Sequence, residues 1–183
     1  MMATFFTIGH SNRSLDEFID LLVESKIERV VDVRTFPRSR SNPQFNIDTL
    51  PAALAGHGIV YEHLATLGGR RGSAHDRIPP RINGYWEHQG FHNYADYALS
   101  PEFRHGLDHL IAEGECQRCA VMCSEAVWWR CHRRIISDYL LSRGETVLHI
   151  LGPGKVDPAT PNEGAEFHAD GNITYPGAPT LFD

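Results

Sequence analysis

Cys119-Ala120-Val121-Met122-Cys123, Ser124-Glu125-Ala126-Val127-Trp128-Trp129-Arg130 and Cys131-His132-Arg133-Arg134-Ile135-Ile136-Ser137-Asp138-Tyr139-Leu140 run on without interruption. The first piece is a short, wholly apolar run, as expected of a strand covered on both faces. The second is a loop. The third carries Ile135, Ile136, Tyr139 and Leu140 at helical spacing and closes at Gly144. The same alternation is present upstream. Thr4-Phe5-Phe6-Thr7-Ile8 stops at Gly9-His10-Ser11-Asn12-Arg13, and Ser14 with Glu17 then reads as a capping box for a helix bearing Leu15, Phe18, Ile19 and Leu22. A strand at Arg29-Val30-Val31-Asp32-Val33, a short helix over 50–54 and a strand over 59–62 follow. Helices near 92–99 and 101–113 precede the quoted strand, and Thr146-Val147-Leu148-His149-Ile150-Leu151 comes after it. Alternation of this kind predicts an α/β fold: a single domain with an about five-stranded, mainly parallel, Rossmann-like sheet and helices on both faces. The domain is read as 1–151. Residues 152–183, punctuated by Gly and Pro, form a tail packed on or over it, ordered in part by Tyr175 and Phe182.

The charge is unevenly distributed. The 183 residues carry a net charge of -6, and 15 of the 17 basic residues are Arg. A GC-rich genome also favours Arg over Lys, so placement matters more than number. Between Arg34 and Arg81 seven arginines face only Asp48, Glu62 and Asp76, a net +4, which leaves -10 for the remainder. An acidic body with one basic segment points to anion binding at one place and argues against a broad duplex-binding face. No apolar run is long enough to span a bilayer, and the N-terminus lacks the basic and apolar regions of a signal peptide. Four cysteines within sixteen residues do not form the spread framework of a secreted disulfide protein. The expectation is a cytoplasmic protein with reduced thiols and no membrane partner.

In a parallel α/β sheet, ligands bind beyond the carboxyl ends of the strands, at a topological switch point. Those ends carry His10 and Ser11, Asp32 and Arg34, Glu62 and His63, and Cys123 and Glu125. Glu125 and Asp32 are candidate general acid/bases, Cys123 a candidate nucleophile with Cys131 beside it, and His10 or His132 the acid/base partner. Ser11, Arg13, Arg34, Arg38, Arg40, Arg70, Cys131, His132 and Arg133 are candidate ligand-binding residues. The loop from Ser124 to Arg130 enters a helix N-terminus, where free N–H groups favour an anion and lower a thiol pKa. A phosphatase-like loop needs Cys, five residues and Arg, and here Arg130 comes one place late.

Zinc is a competing use for the cysteines. Cys119 and Cys123 stand about 13 Å apart if they bound a strand, so Cys116 and Cys119 cannot share one ion with the others. A metal at Cys123, Cys131 and His132 stays open, and no other cofactor motif is legible. Residues 64–89, rich in Gly, Pro and Arg, read as one long functional loop. Tyr85, Trp86, Phe91, Tyr94 and Tyr97 could stack bases, but the last three fit the apolar face of a helix. His92, His105, His109 and His149 read as surface or packing residues.

Several stretches together resemble the domain of unknown function 488 (DUF488) family. They are Thr7-Ile8-Gly9-His10-Ser11-Asn12-Arg13, Asp32-Val33-Arg34 with Pro37-Arg38-Ser39-Arg40, Leu67-Gly68-Gly69-Arg70, Tyr94-Ala95-Asp96-Tyr97, and Met122-Cys123-Ser124-Glu125 leading to Cys131-His132-Arg133. The resemblance implies a compact α/β domain with these motifs gathered at one site, and it supplies no reaction. Asp32-Val33-Arg34 followed by strand, Cys, loop and helix is also similar to the rhodanese pattern, but Trp128-Trp129 do not suit an anion cradle of backbone N–H groups.

The leading expectation is an enzyme, a hydrolase or transferase, acting on a phosphate-bearing small molecule or nucleic acid. The alternatives are a non-catalytic anion- or nucleic-acid-binding regulatory module, and a metal-dependent hydrolase using Cys131, His132 and a carboxylate. Association as a homodimer is compatible with the sequence.

Overall fold

Strands that can leave neither face in water need helices on both, and the chain supplies them in alternation. The computed structural model describes residues 2–178. The elements are β1 (Thr4–Gly9), α1 (Leu15–Glu24), β2 (Arg29–Asp32), α2 (Leu50–Ala55), β3 (Val60–His63), α3 (Gln89–Tyr97), α4 (Pro101–Cys116), β4 (Cys119–Cys123), α5 (Arg133–Ser142), β5 (Thr146–Gly152) and β6 (Lys155–Pro158). A two-stranded ribbon of β7 (Glu166–Phe167) and β8 (Ile173–Thr174) completes them. The main sheet runs β3-β2-β4-β1-β5-β6. Its first five strands are parallel, as the sequence predicts. A sixth joins them: β6, from the segment read as a tail, pairs antiparallel with β5 along the edge. Gly154, at φ 65°, makes that tight return possible.

Alternate strand residues face opposite cores. Phe6, Ile8, Val30, Ala120 and Met122 pack against α1 and α2 through Phe18, Leu22, Leu50 and Leu54. Phe5, Val31, Val121 and Cys123 pack against α3, α4 and α5 through Tyr94, Phe103, Leu107, Ile135 and Ile136. The connection from β1 leads across the sheet to β2, whereas that from β4 leads the other way to β5. Right-handed crossovers in opposite directions lie on opposite faces, so a crevice opens between the carboxyl ends of β1 and β4.

The segment after β6 is anchored through a buried carboxylate. Asp138 on α5 accepts hydrogen bonds from the Asn162 backbone N–H (3.0 Å), Asn162 Nδ2 (2.7 Å) and Tyr175 Oη (2.7 Å). Ile173 and Tyr175 are fully buried against the α3/α4/α5 side. Phe182, the other aromatic assigned to this anchoring, lies outside the described residues. Among the described residues no helix is long and apolar enough to cross a membrane.

Candidate functional site

The crevice at the switch point is a cleft of about 460 Å³. Eight of the residues singled out from sequence line it: His10, Arg34, Arg38, Arg70, Cys123, Glu125, Cys131 and His132. Asp32 and Arg133 lie beneath it, buried, bonded to its walls and floor. Three candidates are not brought to it. Arg13 donates to the Gly9 and Leu151 carbonyls and ties the end of β1 to β5. Ser11 sits at φ 48°, its N–H given to the Ser124 carbonyl at 2.9 Å. Arg40 is exposed and is absent from the lining.

Asp32 and Arg34 are locked to each other. The carboxylate accepts from Arg34 Nη2 (2.7 Å), Arg34 Nε (2.9 Å), the Arg34 backbone N–H (3.0 Å) and the Tyr61 hydroxyl. With its oxygens thus engaged, Asp32 acts here as an anchor. Burial works against the Arg34 charge, but the Asp32 carboxylate outweighs it and holds the guanidinium pKa above its ordinary value. Arg34 Nη2 also donates to the Phe45 carbonyl at 2.7 Å. Arg34 Nη1 is left facing His10 Nε2 at 3.3 Å. His10 Nδ1 donates to the Ser11 carbonyl (2.8 Å), which fixes the tautomer with Nε2 as an acceptor. Burial, with the Arg34 charge adding to it, lowers the His10 pKa and keeps the ring neutral.

The floor is made of sulfur. Cys123 ends β4, and Cys131 directly precedes the first turn of α5; they are 2% and 5% exposed. All four cysteines are free. Burial and the neighbouring Cys131 push the Cys123 thiol well above its usual range. Burial would push Cys131 the same way, but the neighbouring Cys123 thiol and the Arg133 guanidinium and backbone amide bring it down to about 7. The Arg133 N–H lies 3.4 Å from Cys131 Sγ, so the sulfur takes up a free N–H at the start of α5. His132 Nε2 donates to the Val33 carbonyl (2.9 Å), which leaves Nδ1 as an acceptor 3.4 Å from the same sulfur. The thiol of this pair that ionises more readily is therefore Cys131, while the Cys123 thiol donates to the Glu125 carbonyl at 3.8 Å.

Arg133 explains the asymmetry. It is 1% exposed, and among the described residues it has no carboxylate within ion-pair distance. Its Nη1 donates to Thr7 Oγ1 (3.1 Å) and its Nη2 to the Glu125 carbonyl (2.7 Å). A buried guanidinium needs a counter-charge, and of the two sulfurs beside it Cys131 is the one that can supply it as a thiolate. Thr7, accepting from Arg133, passes its own hydroxyl proton bond to His149 Nδ1 at 2.6 Å. Burial and the Arg133 charge hold the His149 pKa down at about 3.

The rim is basic and aromatic. The side chains of Arg70 and Arg130 have no ion-pair or hydrogen-bond partner among the described residues, and Arg70 lies 5.4 Å from the centroid of Phe36. Arg38 is held by a bidentate pair with Asp48. Phe36 is 63% exposed, and Phe91 and His88 complete the wall. Phe36 and His88 carried no sequence signal beyond residue type, and Arg130 counted against the phosphatase-like spacing. The set Cys123, Cys131 and His132 does not bring three donors together for a metal. Among the described residues three-donor groups occur at His75/His92/Asp96 and Glu62/His109/Glu113.

Fold and site define a doubly covered, mainly parallel α/β protein with a thiol-floored, arginine-rimmed cleft at the sheet's switch point. The chain belongs to the DUF488 family: the family described as "Domain of unknown function DUF488" matches residues 14–140. No curated protein and no solved structure matches the chain.

Proposed function

We propose that the chain is an enzyme acting on a phosphate-bearing ligand, a nucleotide or a nucleic acid strand, bound in this cleft. The observation that carries the reading is the convergence of Arg34, Arg38, Arg70 and Arg130 on a cleft whose only carboxylate among the described residues is Glu125, in a chain of net charge -6. Arg70 and Arg130, free of partners, take the phosphate, as guanidinium groups do in bidentate fashion. Arg34, braced by Asp32, presents a fixed charge at the back. Phe36 offers a face on which a base stacks.

Cys131 is the nucleophile. Its sulfur forms a bond to the electrophilic atom of the ligand as the bond to the leaving oxygen breaks, and Glu125 moves the proton to that oxygen. The neighbouring Cys123 thiol helps to hold the Cys131 pKa down, and His132 Nδ1 accepts the thiol proton when Cys131 starts protonated. Arg133 balances the charge from below the floor.

The test is thermal stabilisation by inorganic phosphate, nucleotides and oligonucleotides, followed by turnover assays on whatever stabilises. Arg70→Ala and Arg130→Ala should lose the stabilisation. Glu125→Gln and Cys131→Ser should keep it and lose turnover. Should no such anion raise the melting temperature of the wild type, the proposal fails. Should Glu125→Gln and Cys131→Ser leave turnover unaltered, the cleft is a binding module and not an active centre.

A further inference from the structure

We propose a second, separate site: a divalent transition-metal centre of the zinc class formed by His75, His92 and Asp96. His92 and Asp96 lie one helical turn apart on α3, facing the loop that carries His75. One donor atom from each of the three falls within 4.8 Å of the others. The His75 and His92 rings meet edge to face with centroids 4.9 Å apart.

Two of the donors are buried and unpartnered. The Asp96 side chain is fully buried and that of His92 nine-tenths buried. Neither Asp96 Oδ2 nor His92 Nε2 has a hydrogen-bond partner among the described residues. They are 3.6 Å apart, too far for a hydrogen bond to each other. Leaving two such atoms orphaned side by side is costly in any fold, whereas an ion between them satisfies both. Bonds of about 2.0–2.2 Å at tetrahedral angles place two ligand atoms about 3.3–3.6 Å apart, which takes in the separation seen.

The carboxylate is also oriented as a metal ligand would be. Its other oxygen, Oδ1, accepts from Asn83 Nδ2 at 2.7 Å, and Asn83 Oδ1 in turn accepts from the Tyr175 backbone N–H at 2.9 Å. That outer bond fixes Oδ2 toward the two imidazoles. Two imidazoles and one carboxylate suit a borderline cation better than calcium or magnesium, which take oxygen ligands. Three protein donors leave a coordination position open. Asp96 borders a second cleft of about 570 Å³ that also holds Arg71, Arg77 and Ser100. The cluster Glu62/His109/Glu113 differs in this respect: Arg29 pairs with both carboxylates and His109 bonds Glu62 at 2.6 Å, leaving no orphan.

The experiment uses the full chain, stripped with a chelator and titrated with Zn²⁺ by calorimetry and with Co²⁺ by visible absorption. The expected result is one equivalent bound, a raised melting temperature, and a cobalt spectrum with no thiolate charge-transfer band. His75→Ala, at an exposed position, should fold as the wild type does and lose stoichiometric binding. Asp96→Asn should lose it as well, while Cys123→Ser and Cys131→Ser should retain it. The assignment is overturned if no stoichiometric metal binds, if His75→Ala and Asp96→Asn both bind normally, or if Cys131→Ser abolishes binding.

Discussion

At the scale of single residues, Cys123 and Cys131 look equivalent in the chain: each is a buried cysteine at the edge of one loop. Their environments divide them. Cys131 meets the free amide of Arg133 and the guanidinium charge, whereas Cys123 is enclosed by the strand it ends and by the other thiol. Alkylation with iodoacetamide, followed by peptide mapping across pH, should therefore show Cys131 reacting with a midpoint near 7 and Cys123 lagging far behind it. Arg133→Met should move the Cys131 midpoint upward, and an unmoved midpoint would remove Arg133 as the cause. Asp32 is a related case. The sequence places a carboxylate at a strand exit, which suits acid/base work and anchoring equally, and only its bonds to Arg34 and Tyr61 choose between them. Asp32→Asn strands a guanidinium that is 5% exposed, and chemical denaturation should register a loss of about 3–5 kcal/mol.

At the scale of elements, close approaches explain two of the motif glycines. A Cβ on Gly9 would lie 1.5 Å from the Glu125 carbonyl oxygen, so the end of β1 packs directly against the loop after β4. A Cβ on Gly69 would lie 2.5 Å from His132 Nδ1. Gly69→Ala should therefore displace the imidazole that faces Cys131, and slowed alkylation of Cys131 with little change in melting temperature is the expected outcome. The C-terminal segment depends on a different contact. Asp138→Ala removes three hydrogen bonds to Asn162 and Tyr175, a loss of about 2–4 kcal/mol. Limited proteolysis should then cut residues 159–178 faster than in the wild type. The helices and parallel strands were legible because their apolar spacing is local. β6 was not, because Lys155-Val156-Asp157-Pro158 has no pattern of its own and becomes a strand only by pairing with the exposed edge of β5.

At the scale of the whole molecule, burial of neutral imidazoles sets the response to acid. His10, His132 and His149 all have pKa values below the ordinary 6.5, His149 as low as about 3. The unfolded chain then binds these protons first as pH falls, so the stability they contribute is complete above 6.5 and is lost progressively below it. His149, 2% exposed, contributes up to about 1.4 kcal/mol per pH unit. Melting temperatures measured downward from neutral pH should fall, and His149→Asn should reduce the proton uptake on unfolding by about one. An identical pH slope in that variant would show that His149 does not set the response.

The sequence by itself determined the alternation of strands and helices, the parallel sheet and the edge at which polar residues collect. It also indicated the family, through motifs spread from Thr7 to Arg133. Those features rest on spacing and residue type within short windows. The tertiary structure decided which thiol ionises more readily, which arginines at the cleft have no partner among the described residues, that His75, His92 and Asp96 share one point, and that the C-terminal segment completes the sheet. Each of these depends on distances between groups far apart in the chain, where burial and a single neighbouring charge determine the chemistry of otherwise identical residues.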